Sequence, residues 1–320
     1  MTPTHLHRTK KTVLKILALM LPLLMILSPN VYALEITGGV KALSYMPWWL
    51  WILLLFVFCI FLGIIAIVAG VGGGILYIPI LSALSPFHLD FVRGSGLVVA
   101  LTGAIGASPR LLGAGMTSLR LALPLACSSS IGALIGANVG MALPSWVVEL
   151  ILGVVIIVVI ALMLSTKSID YPSPRGMNSL ARRMNIGGTY TDAITGNSME
   201  WEIRRLPLGL ITFFIIGLMG GALGLSSGWA NVPALNLLLG APLKIAVATS
   251  VLIIAMTSSV ASWVFLNQGA IVPIIVVPSM AGMMLGTRIG AKLLPRISES
   301  IVRYFVLGIL TFAALTLLLD

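Results

Sequence analysis

The stretch Gly70-Val71-Gly72-Gly73-Gly74-Ile75-Leu76-Tyr77-Ile78-Pro79 decides the fold, because a related stretch stands 154 residues later: Gly224-Leu225-Ser226-Ser227-Gly228-Trp229-Ala230-Asn231-Val232-Pro233. Gly70 and Gly224, Gly74 and Gly228, and Pro79 and Pro233 are identical in that register. Each stretch lies inside apolar sequence. A glycine within a helix costs about 1 kcal/mol relative to alanine, so a cluster of them marks a break rather than a continuous span. Backbone amides freed at such a break must be satisfied by protein, water or a ligand, since a bilayer offers no partners.

The register extends beyond the two stretches. Ser95 meets Ser250 and Thr102 meets Thr257 one residue out of step, and Pro124/Pro278, Gly132/Gly286 and Gly136/Gly290 return to the spacing of 154. Glycines and prolines holding register over such a distance point to an internal duplication. Duplicated transporters place the substrate where their repeats meet, often at short, Gly/Pro-interrupted segments in matching positions.

Composition fixes the environment. Hydrophobic residues make up 59% of the 320 residues and charged ones 9%, with mean hydropathy +1.11. A soluble domain carries about 25% charged residues. Runs such as Trp48 to Val68 and Trp146 to Leu164 reach the roughly 20 residues that a membrane-crossing helix needs. The 33 glycines and 17 prolines suit close helix packing and broken helices. The fold class is therefore an all-α polytopic membrane protein of two related halves, placed in the cell inner membrane.

Residues 1–33 read as a cleavable secretory signal. Arg8, Lys10, Lys11 and Lys15 precede the apolar Ile16 to Leu27, and Val31-Tyr32-Ala33 offers a cleavage site. Cleavage there lowers the net charge from +10 to +6. The first membrane repeat covers 47–165, with apolar pieces at Pro47 to Ala69, Gly72 to Pro86, Gly94 to Leu112, Leu119 to Met141 and Ser145 to Ser165. A polar, basic linker at 166–205 reads as flexible. The second repeat covers 206–319, with pieces at Leu206 to Leu223, Ser226 to Gly240, Ile245 to Leu266, Ala270 to Ala291 and Ile301 to Leu319. Lysine and arginine concentrate in cytoplasmic loops. Placing the linker, Arg110, Arg120, Lys244, Lys292, Arg296 and Arg303 inside leaves only Lys41 and Arg93 outside. That arrangement needs an odd number of crossings per half, and so an inverted repeat. Trp48, Trp49 and Trp51 form an outer interfacial belt.

The candidate site grows from the breaks. Gly72, Gly73 and Gly74 precede a short helix whose first N–H groups form the positive end of its dipole, a natural place for an anion. Ser226, Ser227 and Gly228 do the same in the second half and add two hydroxyl donors, with Asn231 one turn further on. Ser95, Thr249 and Ser250 begin the pieces that follow; they either cap those helices or line the site. Thr102 and Thr257, one or two turns deeper, either face the same cavity or bond to carbonyls of their own helix. Arg288, between Gly286 and Gly290, either draws anions inward or snorkels to the interface. Gly132/Gly136/Gly140 and Gly282/Gly286/Gly290 are small-residue ladders for close helix approach, within the bundle or across a homodimer.

These residues resemble a known family. Gly70 to Gly74 with Pro79, then Val232-Pro233, Gly240-Ala-Pro-Leu-Lys-Ile-Ala-Val-Ala-Thr-Ser250, Gly286 and Gly290, look like the TauE/SafE (sulfite exporter) family of membrane transport proteins, over about residues 50 to 319. The resemblance implies transport, commonly export, of sulfite, sulfoacetate or related sulfur-containing anions. The chain departs from the pattern in lacking the glycine triplet in its second half, in having Arg93-Gly94-Ser95-Gly96 in its first, and in its long linker.

Other functions fit less well. An enzyme needs a nucleophile and a base within reach of each other. Outside the signal only His88 remains, and no hydrolase or zinc-protease motif occurs. Cys59 and Cys127 have no metal-ligand spacing, so no metal or cofactor is expected. A membrane scaffold docking through its basic linker is the alternative, but a scaffold has no use for paired broken helices. Glu149 is the one acid expected within a span. With no paired carboxylates to relay protons, the expected energetics are either passive export or export driven by the membrane potential.

Overall fold

The computed structural model describes residues 48–69, 72–84, 88–144, 146–157 (except 149, 152 and 156), 186–191, 198–203 and 205–293. The signal segment 1–33, Gly70, Glu149, most of the linker and the final piece 301–319 lie outside the described residues. The helices are α1 (Trp48–Ala69), α2 (Gly74–Leu84), α3 (Leu89–Gly113), α4 (Leu119–Ala142) and the short α5 (Trp146–Val155). After a two-stranded hairpin come α6 (Leu206–Leu223) and α7 (Gly228–Pro233), which continues as the π-helical turn Ala234–Leu238; α8 (Leu243–Asn267) and α9 (Pro273–Leu293) follow. Six of them, α1, α3, α4, α6, α8 and α9, are long and apolar enough to cross a membrane. The chain is thus an all-α multi-pass membrane protein.

The element bounds recur at the spacing read from sequence. Adding 154 to the limits of α2 gives 228–238, and to those of α3 gives 243–267. The two long central helices close alike, with Gly115 (φ 68) after α3 and Gly269 (φ 71) after α8 in the left-handed conformation. Packing repeats as well. Gly132, Gly136 and Gly140 of α4 lie against the backbone of Phe214, Leu218 and Ala222, where a Cβ would overlap it. Gly282, Gly286 and Gly290 of α9 lie in the same way against Phe56, Ile60 and Ile64. Both ladders are thus consumed inside the chain. The ascending numbers show α4 parallel to α6, and α9 parallel to α1. In place of a further glycine in the α4 ladder, Ser128 donates its hydroxyl to the carbonyl of Leu210 at 2.7 Å.

α3 and α8 cross the centre in opposite senses. Gly94, near the start of α3, faces the carbonyl of Ala270 beyond the end of α8. At the other end Thr117 donates to the carbonyl of Ala248, and the Ser118 amide donates to Oγ1 of Thr249. The segment after α1 doubles back, because Gly73 stands beside Leu62, which is about 10 Å inside the end of α1 at the helical rise. The segment after α6 doubles back too, with Ser226 against Gly220. As a result α2 and α7 both begin in the interior of the bundle.

Two findings differ from the sequence reading. The linker is not uniformly without structure: Gly187–Thr191 and Ser198–Glu202 pair antiparallel, Gly187 opposite Glu202. Ile186, Trp201 and Ile203 are buried in the main core with Leu206, Leu111 and Met116. Period-two alternation of Met199, Trp201 and Ile203 is the strand signal, masked by the neighbouring glycines and polar residues. Second, α3 starts at Leu89, not near Gly94. Asp90 in its first turn and the His88 side chain, which accepts from the Asp90 amide, start it early. Arg93 therefore lies within a helix instead of an outer loop.

The ends of the helices sort by charge. Arg110, Arg120, Arg205, Lys244 and Lys292 all sit at the end of the bundle where α6 leaves the hairpin. The opposite end of α3 carries His88, Asp90 and the paired Arg93. This is the sorting of basic residues that the positive-inside rule expects of a cytoplasmic end.

Candidate anion site

The two breaks meet in the middle of the molecule. Gly72 (φ 77) and Ser226 (φ 60), counterparts at the spacing of 154, are both in the left-handed region. An L-residue pays about 1–2 kcal/mol for that conformation, so Ser226 carries backbone strain that Gly72 avoids. A Cβ on Gly72 would come 3.4 Å from Oγ of Ser226 and 3.0 Å from Cδ1 of Ile254. A Cβ on Gly74, the first residue of α2, would come 2.8 Å from the carbonyl of Leu225. The helical starts of α2 and α7 are thereby brought together between α3 and α8.

Around this junction lies a narrow cavity lined by Gly72, Gly73, Ala100, Gly103, Ile254 and Thr287, among others. Its volume open to the centre of a water is about 10 Å³, room for roughly one water molecule.

The sequence-derived residues distribute unevenly about it. Gly72 and Gly73 line the cavity, and Gly74 closes its α2 side. The Gly73 carbonyl already accepts from the amides of Leu76 and Tyr77. On the other side of the junction, Oγ of Ser226 accepts from the Gly228 amide at 3.4 Å, and Asn231 Nδ2 donates to Oγ of Ser227 at 3.1 Å. Asn231 Oδ1 is buried without a partner. Ser95 and Thr102 donate to carbonyls of their own helix, Val92 at 2.9 Å and Val98 at 2.8 Å. Thr249 is engaged with the start of α4 and does not face the junction; Ser250 is fully buried in the same turn of α8. Arg288 is exposed on the outer face of α9, away from the cavity. One residue earlier, Thr287 is buried and lines it. A helix turns 100° per residue, and hydropathy alone does not give the phase.

The two sides of the junction also differ in chemistry. On the α3–α9 side stand Gly103, Ala104 and Met283. Their counterparts on the α4–α8 side are Thr257, Ser258 and Ser129, and the hydroxyls of all three are buried with no hydrogen-bond partner. Such a hydroxyl costs about 1–3 kcal/mol when left unpaired. Thr257 was legible in sequence from Thr102, one residue out of the 154 register; at 154 itself the counterparts of Thr257, Ser258 and Ser129 are Gly103, Ala104 and Met283, none of which carries a side-chain hydroxyl. Among the described residues no group of His, Cys, Asp and Glu is placed to hold a metal ion.

Comparison with known proteins agrees with this architecture. A family model described as "Sulfite exporter TauE/SafE" matches residues 53–317. The chain is 27% identical over 250 residues to the "Probable membrane transporter protein YunE" of Bacillus subtilis (strain 168), covering 74% of this chain and 88% of that protein. No solved structure matches.

Proposed function

The chain belongs to the sulfite exporter TauE/SafE family, and from that premise we propose that it carries sulfite, or a related sulfur-containing oxyanion, out of the cell through the junction of its two breaks. The observation that carries this reading is the meeting of Gly72 and Ser226 at matched positions in the bundle interior. Amides at the starts of α2 and α7 and the hydroxyls of Ser226, Ser227 and Thr257 supply donors, and among the described residues no acidic side chain is buried. Helix starts favour negative charge, and half-helices meeting near mid-membrane are a recurrent substrate site in transporters.

The halves act as inverted repeats. Because α3 and α8 run oppositely, each break opens toward a different face when its half moves, and alternating access follows from rocking one half against the other. A sulfite ion exceeds the present cavity, so the closed junction must widen to admit it. An inside-negative potential drives an anion outward without a coupled proton.

Purified protein in proteoliposomes should release loaded sulfite faster than protein-free vesicles, and faster still under an inside-negative potential. Sulfate, thiosulfate and sulfoacetate in the same assay define selectivity. The pair Ser226→Ala and Ser227→Ala should cut sulfite flux at least tenfold with the melting temperature little changed. Equal release from loaded proteoliposomes and equally loaded protein-free vesicles, for every anion, would refute carriage.

A further inference from the structure

Arg93 is the one charged side chain buried among the described residues, and nothing in the junction accounts for it. We propose that Arg93 is the counter-charge an anion engages at the outer end of its path, and that Asp90 is the carboxylate which that anion displaces. This rests on the reading of the chain as an anion carrier.

The surroundings of Arg93 are those of a site more than of a brace. Its Nη1 donates to Oδ1 of Asp90 at 2.7 Å through a single contact. Nη2 donates to the carbonyl of Ala222, the last turn of α6. The guanidinium carbon lies 5.3 Å from the centre of the Phe265 ring in α8. Nε is buried with no partner. A guanidinium presents five N–H groups in a fork that matches an oxyanion bidentately, and here that fork is only partly used. The frame itself does not demand a charge at this place, since the counterpart of Arg93 in the second half is Val247.

Position links Arg93 to the junction. Its stem packs against Gly224, the first residue of the second break. On α8, Ser262 and Ser258 stand one and two turns inward from Phe265 on the same face, and both hydroxyls are buried without partners. They mark a line of free donors from Arg93 toward the junction. Asp90 differs from Arg93 in exposure: its side chain is 31% exposed and also meets His88 at 3.3 Å, whereas Arg93 is 1% exposed. Asp90 can turn to water while Arg93 stays buried. An arriving oxyanion then replaces one carboxylate with another two-oxygen acceptor, so the guanidinium is never left unpaired, which would be costly.

The test compares wild type, Asp90→Asn and Arg93→Lys in proteoliposomes, with half-saturating sulfite concentration and melting temperature both measured. Removing the competing carboxylate in Asp90→Asn should lower half-saturation about fivefold or more. Arg93→Lys keeps the charge and loses the fork, and should raise it about fivefold or more. If Asp90→Asn does not fold, Arg93→Lys carries the test alone. Lower melting temperatures with half-saturation unchanged in the folded variants would show a structural brace and overturn the proposal. Wild type that moves no anion would remove the premise and this proposal together, an outcome distinct from wild type that moves sulfite with Asp90 and Arg93 irrelevant to its affinity.

Discussion

The helix pairs α4–α6 and α9–α1 are assembled alike, whereas the two sides of the central junction are not. In the pairs, counterpart glycines meet counterpart carbonyls: Gly132 on Phe214 and Gly286 on Ile60, Gly136 on Leu218 and Gly290 on Ile64. At the junction one break is glycine and the other serine, and one flank is Gly103, Ala104 and Met283 where the other is Thr257, Ser258 and Ser129. Close packing tolerates little change, because an added methyl group at a helix crossing has nowhere to go. Lining residues are under no such constraint. Under the proposed reading, the contrast is that between a frame held by close packing and a substrate path held by function.

Substitutions can sharpen or break that contrast. The largest effect belongs to the frame: Gly132→Ala and Gly286→Ala should each destabilise by about 2–3 kcal/mol and by similar amounts, measured as loss of melting temperature in detergent. Gly113→Ala, with open space around the added carbon, is the control and should be silent. A large difference between the two ladder variants would break the likeness of the pairs.

At the junction the expected effects are unequal. Gly72→Ala forces alanine into the left-handed region and should cost about 1–2 kcal/mol. Ser226→Gly relieves the same strain and should stay within about 1 kcal/mol of wild type, yet lower sulfite flux because a donor is gone. Flux that survives Ser226→Gly would show the hydroxyl to be irrelevant. Thr257→Val replaces an unpaired hydroxyl by a methyl group of the same shape, so stability should hold or rise by about 1 kcal/mol while flux falls several-fold. Unchanged flux would take the α4–α8 side out of the path. The smallest effect should be that of Arg288→Gln, under twofold in flux, since Arg288 faces outward from the bundle.

Much of this was legible in the sequence for a physical reason. Gly70/Gly224 and Pro124/Pro278 carry the spacing of 154 at which the helix bounds recur, because glycine and proline are the residues whose backbone roles cannot be swapped freely. The breaks at Gly72 and Ser226 were visible as poor helix in an apolar setting. Arg93 was not, because a charge beside a loop is indistinguishable by hydropathy from a charge on the first buried turn of a helix; Asp90 three residues earlier was the available signal for a helical pair. Arg288 and Thr287 are adjacent and differ only in helical phase, which contacts decide. The hairpin around Tyr190 and Trp201 was hidden by its glycine-rich, polar composition. Thr249 looked like a site residue because a helix start and a site favour the same hydroxyls, and its bond to the Ser118 amide tells them apart.

Selenite is the heavier congener of sulfite, and its anomalous scattering locates it without ambiguity. Crystals of the wild-type protein grown with selenite should show an anomalous peak at the junction, within hydrogen-bonding reach of Ser226 or Ser227 and of the amides that open α2. Selenite bound only elsewhere, or a junction that stays closed and empty under saturating selenite, would contradict carriage through the two breaks.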